Sequence, residues 1–155
     1  MKQFKFRLES VLKLRVSVEE LCLRDLSECE IRRDQAQNEL FRARHEIHET
    51  TEFCRESLRR KFDPQLAGNY FHYLDRLNRL MEEAVIRLRQ REVEVAESRS
   101  RLIEATRKRK VIEKLKEHAF RKYQAEELRS EINFLDELGT SRFVRVQAGY
   151  GEVGG

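Results

Sequence analysis

The sequence predicts an all-α protein in which two long helices form an antiparallel coiled-coil hairpin. Charged residues make up 39% of the chain and hydrophobic residues also 39%. That is too little apolar material for a globular core of 155 residues, but it suits two helices that share one narrow apolar seam. The only proline and the first of six glycines fall together near the middle of the chain, at Pro64 and Gly68. Roughly 55 and 70 residues of helix-forming sequence flank this break, as in a helical hairpin.

We expect the hairpin to span residues 1–143, followed by a flexible tail at 144–155. Its parts are helix 1 at about 5–61, a turn at 62–69 and helix 2 at about 70–138.

Residues suited to helix ends place these boundaries. Asp63 can cap a short turn that Pro64 begins, because the missing N–H of proline is harmless at a first helical position. Gly68 can end that turn in the left-handed conformation, and Asn69 can cap helix 2. Gly139 is then expected to terminate helix 2.

Helix 1 carries an apolar face from near its start, with residues at three- and four-residue steps: Phe4, Leu8, Val11, Leu14, Val18 and Leu21. The spacing then slips around residues 22–26, which predicts a stutter in the coiled coil. Beyond the slip, two heptad series follow: Cys29, Ala36, Ala43 and Thr50, beside Arg33, Leu40, Ile47 and Cys54. Their small and polar members predict weak packing in the middle of the helix.

Helix 2 has a seam at helical spacing, formed by Leu74, Leu77, Met81, Ala84, Leu88, Val95, Leu102 and Ala105. An aromatic cluster, residues 70–74, lies at its start, and these successive positions cover more than one face of a helix. Two of the rings must therefore point away from helix 1. They either pack over the short turn segment or form an exposed apolar patch that marks a docking site.

A basic block follows, with ten cations and three carboxylates between Arg99 and Lys122. Val111, Ile112 and Leu115 are expected to continue the seam inside it. Nucleic-acid binding is one interpretation. However, no aromatic residues alternate with the cations, and an acidic stretch follows at residues 126–137. The pattern therefore favours a protein ring or socket as the partner.

No enzyme, cofactor or metal site is predicted. Cys22, Cys29 and Cys54 lack metal-type spacing and are interpreted as small buried hydrophobic residues in a reducing compartment. His45 and His48 are interpreted as solvated, although with Glu49 and Glu52 they leave a metal site open as an alternative. The G-x-G-x-x-G match at residues 149–154 lacks the strand and the helix that a nucleotide site needs.

No segment has the length and apolar character of a membrane span, and the N-terminus lacks the apolar stretch of a secretory signal. We therefore expect a cytoplasmic protein.

Four motifs resemble those of the flagellar export protein FliJ family. They are Phe4-x-Phe6-x-Leu8-x-x-Val11-Leu12-x-x-Arg15, Gly68-Asn69-Tyr70 with Tyr73-Leu74, Arg107-x-Arg109-Lys110-Val111-Ile112-Glu113-Lys114-Leu115, and Glu131-x-x-x-Leu135-Asp136-Glu137. The likeness covers residues 1–143. It implies a non-enzymatic, antiparallel coiled coil that resembles the central stalk of rotary ATPases.

The resemblance also implies partners in type III protein export, flagellum biogenesis, motility and chemotaxis. Such proteins bind the pore of the hexameric flagellar export ATPase, promote its assembly and activity, and link it to the membrane export gate protein and to export chaperones. Their place would be the cytoplasm, peripherally associated with the inner membrane at the flagellar base.

Site residues carried over by position fall into two groups. The first would bind the ATPase ring: Leu8, Val11, Leu12, Arg15, Arg107, Arg109, Lys110 and Lys114. The second would contact the export gate: Tyr73, Leu77 and Leu80. Two alternatives remain open, namely the corresponding stalk of a virulence-type type III secretion system and a generic structural coiled coil.

Overall fold

The computed structural model describes residues 3–150, with side chains for residues 3–147. It contains two α-helices, α1 (Glu9–Arg60) and α2 (Pro64–Tyr150). Both helices contribute to each of two compact units. We call residues 16–107 the turn unit, and residues 1–15 with 108–155 the terminal unit.

Contacts between the helices of the turn unit show that they run antiparallel, because partners later in α1 meet partners earlier in α2. From the start of α1 onwards, these contacts join Glu19 to Thr106, Glu30 to Arg99, Glu39 to Arg87 and Glu46 to Tyr73. The predicted fold class, an all-α antiparallel hairpin, is confirmed.

The connection between the helices is shorter than predicted. It comprises only residues 61–63, and α2 begins at Pro64. The Asp63 carboxylate accepts a hydrogen bond of 3.0 Å from the Gln65 N–H, so the predicted cap is present. It caps α2 itself rather than a separate turn.

The predicted roles of Gly68, Asn69 and Gly139 are wrong, because all three lie inside α2. No glycine in the described chain has a positive φ. A glycine within a helix costs only about 1 kcal/mol, which the packing and hydrogen bonding of its neighbours can offset.

Helix 2 was predicted to end at Leu138, but α2 continues to Tyr150. The flexibility of the tail at 144–155 stays a prediction, and its residues 151–155, with Gly151 and Gly154 of the G-x-G-x-x-G match, lie outside the described residues.

The predicted heptads of helix 1 are confirmed from Cys29 to Cys54, since every member is buried or half-buried. The predicted stutter is wrong. The seven-residue spacing continues without interruption from Cys29 back to Cys22, Arg15 and Leu8, and all three are half-buried. Leu14 and Leu21, which the prediction placed in the seam, are exposed. Arginine can pack its aliphatic stem in a seam, so the charged Arg15 keeps the register where hydrophobicity alone indicates a slip.

The seam of α2 follows two heptad series from Ala67 to Tyr123. The first comprises Ala67, Leu74, Met81, Leu88, Val95, Leu102, Arg109, Lys116 and Tyr123, and the second comprises Tyr70, Leu77, Ala84, Arg91, Ser98, Ala105, Ile112 and Ala119. All of these side chains are buried or half-buried. The predicted seam from Leu74 to Ala105 is therefore confirmed. Within the described residues, every fully buried side chain lies between Cys29 and Ala105, in the turn unit.

Candidate interaction surfaces

The start of the chain packs on α2 within the terminal unit. The Phe4 ring meets the Phe120 ring edge-on, with the centroids 5.2 Å apart, and lies 5.5 Å from the Tyr123 ring. Nearby, Lys116 Nζ lies 2.7 Å from a carboxylate oxygen of Glu9. These contacts hold the N-terminal segment against α2 and form an open groove lined by Phe4, Leu12 and Phe120.

The four predicted ring-binding residues of the N-terminal segment are Leu8, Val11, Leu12 and Arg15, and all are half-buried. Each therefore has part of its surface engaged within the protein and part of it exposed. This segment can offer a partner only a partial apolar surface.

The basic block does not form one cationic face. Arg109 occupies a seam position and pairs with Glu113 at 2.6 Å, and Lys116 also lies in the seam. Lys110 and Lys114 are exposed in the terminal unit. Arg107 is exposed as well, but it belongs to the turn unit. Of the predicted cationic contacts in the terminal unit, Lys110 and Lys114 are therefore the accessible ones.

Two apolar side chains accompany these lysines on the surface. Val111 and Leu115 are exposed, so the prediction that they continue the seam is wrong. Of the three residues predicted to continue the seam, only Ile112 does so, and it is half-buried. Val111, Lys114 and Leu115 share one helix face because they lie three and four residues apart. The result is a mixed apolar and cationic face, which was not predicted from the sequence. The heptad spacing places the seam position after Ala105 at Ile112, seven residues later, and so would have excluded Val111 from the seam.

A second apolar stripe lies on the last part of α2, where residues 128–147 are all exposed. Its members follow one another at steps of four, three, eight and three residues and so share one helix face. We name Leu128, Ile132, Leu135, Phe143 and Val146 the C-terminal stripe. Large exposed apolar stripes of this kind mark sites of protein interaction.

The three predicted gate residues differ in their surroundings within the turn unit. Leu77 is only 6% exposed and belongs to the seam, whereas Leu80 is 45% and Tyr73 44% exposed. Leu77 lies on the same helix face as Leu80 (i+3) and Tyr73 (i−4), but it is the one of the three that lies nearest α1. The pattern therefore could not distinguish a core leucine from a contact leucine. Tyr73 and Leu80 are the two that a partner can reach.

The Tyr73 hydroxyl donates a hydrogen bond of 3.1 Å to the Glu46 carboxylate on α1. This hydrogen bond, together with the negative charge of Glu46, raises the pKa of the Tyr73 hydroxyl. The bond also holds the aromatic ring across the two helices. Tyr73 thus has a fixed orientation while its face stays exposed.

The aromatic residues near the connection form an exposed cluster rather than a packed one. The Tyr70 ring meets the Phe53 ring edge-on at 6.2 Å. Phe53, Phe62 and Phe71 are nevertheless all exposed. The interpretation that the rings pack over a short turn segment is wrong, because the structure has no such segment. Phe71 and Tyr73 are exposed, as the alternative expected, and their use as a docking site stays a prediction.

The cysteines and histidines behave as structural or solvated residues. Cys29 and Cys54 are buried in the seam and Cys22 is half-buried. Burial raises the pKa of the Cys54 thiol. His45 pairs with Glu49 at 3.1 Å on an exposed face of α1. Among the described residues, no three His, Cys, Asp or Glu side chains are grouped as a metal site would require.

Two paired helices that expose apolar and cationic faces define a coiled-coil interaction protein. In the part of the chain that the structure describes, no helix combines the length and apolar character of a membrane span. The model of the FliJ family, described as flagellar FliJ protein, matches residues 4–148. The chain therefore belongs to the FliJ family, and the resemblance found in the sequence is confirmed. No curated protein and no solved structure matches the chain. Family membership supports a role as a stalk protein of flagellar type III export.

Proposed function

We propose that this chain is a non-enzymatic stalk and adaptor that binds the pore of the hexameric flagellar export ATPase through its terminal unit. In this role it promotes assembly and activity of the hexamer and links it to the membrane export gate protein and to export chaperones. Its place is the cytoplasmic side of the inner membrane at the flagellar base. The observation that carries this proposal is the C-terminal stripe, an apolar face that α2 leaves exposed.

Both parts of the surface suit a ring of identical subunits. The C-terminal stripe provides apolar area, whose burial contributes about 25 cal/mol per Å². Lys110 and Lys114 add positive charge that steers association with acidic groups in a pore. Charge attraction is non-directional, so it tolerates the mismatch between one hairpin and a six-fold ring. The half-buried residues Leu8, Val11, Leu12 and Arg15 contribute their exposed parts to the same contact.

The test is ATP hydrolysis by the purified export ATPase, titrated with the full chain and with variants. Replacing Leu128, Ile132 and Leu135 by serine should reduce stimulation at least tenfold, because the replaced side chains bury apolar area only in the complex. The matched control replaces Ile86 and Val93, which are comparably exposed on α2 within the turn unit. That control should stimulate like the unchanged chain. Full stimulation by the stripe variant would contradict the proposal.

The cationic part is tested by Lys110→Glu with Lys114→Glu. Stimulation should fall most at moderate salt, because exposed charges act mainly on the association rate. Arg109 is left unchanged, since its reversal would also disturb the pair with Glu113. Circular dichroism should show unchanged helicity. Undiminished stimulation at every salt concentration would remove these lysines from the contact.

The export gate contact is proposed at Tyr73 and Leu80, the two exposed members of the predicted group. Replacing both by alanine should weaken binding to the purified cytoplasmic part of the gate protein. ATPase stimulation should be unaffected, which separates this contact from the ring contact. Gate binding at full strength would assign the contact to other residues.

A further inference from the structure

The end of the turn unit where α1 passes into α2 carries three phenylalanine side chains that are mostly accessible to water. We name residues 53–72 the hairpin tip. Phe53 lies on the last turns of α1, Phe62 in the connection and Phe71 on the first turns of α2, and their exposed fractions are 64%, 70% and 69%. The buried or half-buried side chains nearby are those of Cys54, Ser57, Leu58, Ala67 and Tyr70. Packing of the hairpin therefore does not explain these rings.

The hairpin tip is also rich in cations. Arg55, Arg59, Arg60 and Lys61 are all exposed, and the hairpin tip holds two carboxylates. Arg55 also pairs at 3.0 Å with Glu52, which directly precedes the tip. Both carboxylates are engaged: Glu56 pairs with Arg60 at 3.3 Å, and Asp63 accepts the N–H of Gln65. The arginines in the last turn of α1 also complement the negative end of the helix dipole. That role accounts for part of the charge, but not for the phenylalanines.

We propose that the hairpin tip binds the surface of an anionic lipid bilayer. The phenylalanine rings enter the boundary between headgroups and acyl chains, and Arg59 and Lys61 lie at the lipid phosphates. Apolar rings beside basic side chains are the composition of interfacial membrane-binding segments. The rings come from three separate segments around the end of a hairpin, an arrangement that suits a deformable lipid surface better than a shaped protein groove.

This contact goes beyond the proposed stalk function, because it needs neither the ATPase nor the gate protein. Each cation near an anionic surface strengthens binding about fivefold. A phenylalanine ring that is partly buried in the interface contributes on the order of tenfold. The two contributions predict strong dependence on both lipid charge and salt concentration.

The first experiment follows tryptophan emission, because the chain contains no tryptophan of its own. Phe62→Trp is added to vesicles of phosphatidylcholine alone and to vesicles with equal parts of phosphatidylcholine and phosphatidylglycerol. The emission should shift to the blue only with the anionic vesicles. Phe41→Trp is the matched control, since Phe41 is also 70% exposed but lies on α1 outside the hairpin tip. A shift of equal size at both positions, or at neither, would overturn the proposal.

The second experiment is co-sedimentation of the full chain with the same vesicles. Phe62→Ser with Phe71→Ser should lower binding at least tenfold, and Arg59→Ala with Lys61→Ala about 25-fold. Phe41→Ser, and Arg42→Ala with Arg89→Ala, are exposed controls that should bind like the unchanged chain. Equal losses in the controls would overturn the proposal. So would absent vesicle binding combined with weaker binding of the tip variants to the gate protein, which would assign the hairpin tip to a protein partner.

ATPase stimulation without vesicles distinguishes this proposal from the stalk function. The tip variants should stimulate fully and keep the helicity of the unchanged chain, since Phe62 and Phe71 are exposed. Failure of the lipid proposal would therefore leave the ATPase results unchanged.

Discussion

The turn unit and the terminal unit follow the same heptad spacing but fill it with different residues. In the turn unit, most seam positions hold small or apolar side chains such as Cys29, Ala84 and Val95, which are buried, and only Arg33 and Arg91 are charged. In the terminal unit, equivalent positions of α2 hold Arg109 and Lys116, which are half-buried and ion-paired. None of the side chains described in the terminal unit is fully buried.

Under the proposed function, stability and binding are divided between the two units. Burial of apolar area in the turn unit stabilises the hairpin, whereas surface ion pairs contribute only about 0–1 kcal/mol each. The terminal unit instead leaves large apolar side chains exposed, among them Leu128, Leu135 and Phe143. Such residues reduce solubility unless a partner covers them. One helix pair thus combines a buried core with an exposed apolar surface.

The largest expected effect separates two leucines within one turn of α2. Leu77→Ala should lower the free energy of unfolding by about 2–4 kcal/mol, because Leu77 is buried in the seam. Leu80→Ala, at an exposed position, should change it by less than about 0.5 kcal/mol. Denaturant unfolding followed by circular dichroism measures both. Equal losses would show that the seam of the turn unit is not the stabilising core.

A buried hydroxyl offers a smaller test of the same seam. Ser98 is fully buried, and its Oγ has no hydrogen-bond partner among the described atoms. Ser98→Ala should therefore raise the free energy of unfolding by about 1 kcal/mol, because it removes an unsatisfied polar group. Ser100→Ala at an exposed position is the control and should gain only about 0.5 kcal/mol from helix propensity. A destabilised Ser98→Ala variant would mean that the hydroxyl has a partner in solution.

Two of the glycines within α2, Gly68 and Gly139, compare the units directly. An added Cβ would meet no atom within 4 Å at Gly68 or at Gly139. Alanine at Gly68 should raise the free energy of unfolding by about 0.5–1 kcal/mol, because alanine loses less backbone entropy on folding than glycine does. The gain should appear in global unfolding, since Gly68 lies beside the buried Ala67. Alanine at Gly139 should increase helicity while leaving the midpoint of global unfolding unchanged. A shift of the midpoint by Gly139→Ala would contradict the division between the units.

The smallest effect is the pH dependence of the Tyr73 contact. Since the folded-state pKa of Tyr73 is raised by its hydrogen bond to Glu46, the stabilisation is fully present below the unfolded value near 10. It is lost as the pH rises through the higher folded value. Spectrophotometric titration should find a lower pKa for Tyr73 in the Glu46→Gln variant. An unchanged titration curve would exclude the hydrogen bond in solution.

The sequence predicted the hairpin, the cap at Asp63 and the seam of α2 from Leu74 to Ala105, because these depend on local chemistry and on regular spacing. It misplaced Leu14 and Leu21, since hydrophobicity alone cannot show that a half-buried arginine keeps the register at Arg15. It also ended helix 2 at Gly139. A single glycine weakens a helix by only about 1 kcal/mol, so it cannot be identified as a helix end from its residue type alone.

The candidate surfaces were predicted less completely. Tyr73, Leu77 and Leu80 share a spacing that does not reveal which of them lies nearest α1. The exposed Val111 and Leu115 were assigned to the seam because they are apolar, although the heptads exclude them. The C-terminal stripe was visible as a periodic pattern, but whether α1 covers it depends on where α1 begins. In the structure, α1 begins at Glu9.

Amide hydrogen exchange of the full chain, with and without the assembled export ATPase, tests the division between core and partner surface most directly. In the free chain, amides near Cys29–Cys54 and Leu77–Ala105 should exchange slowest, and those of residues 128–147 fastest. With the ATPase added, residues 108–147 should gain protection while residues 16–107 stay unchanged. New protection confined to residues 16–107, or slow exchange of residues 128–147 in the free chain, would contradict the account.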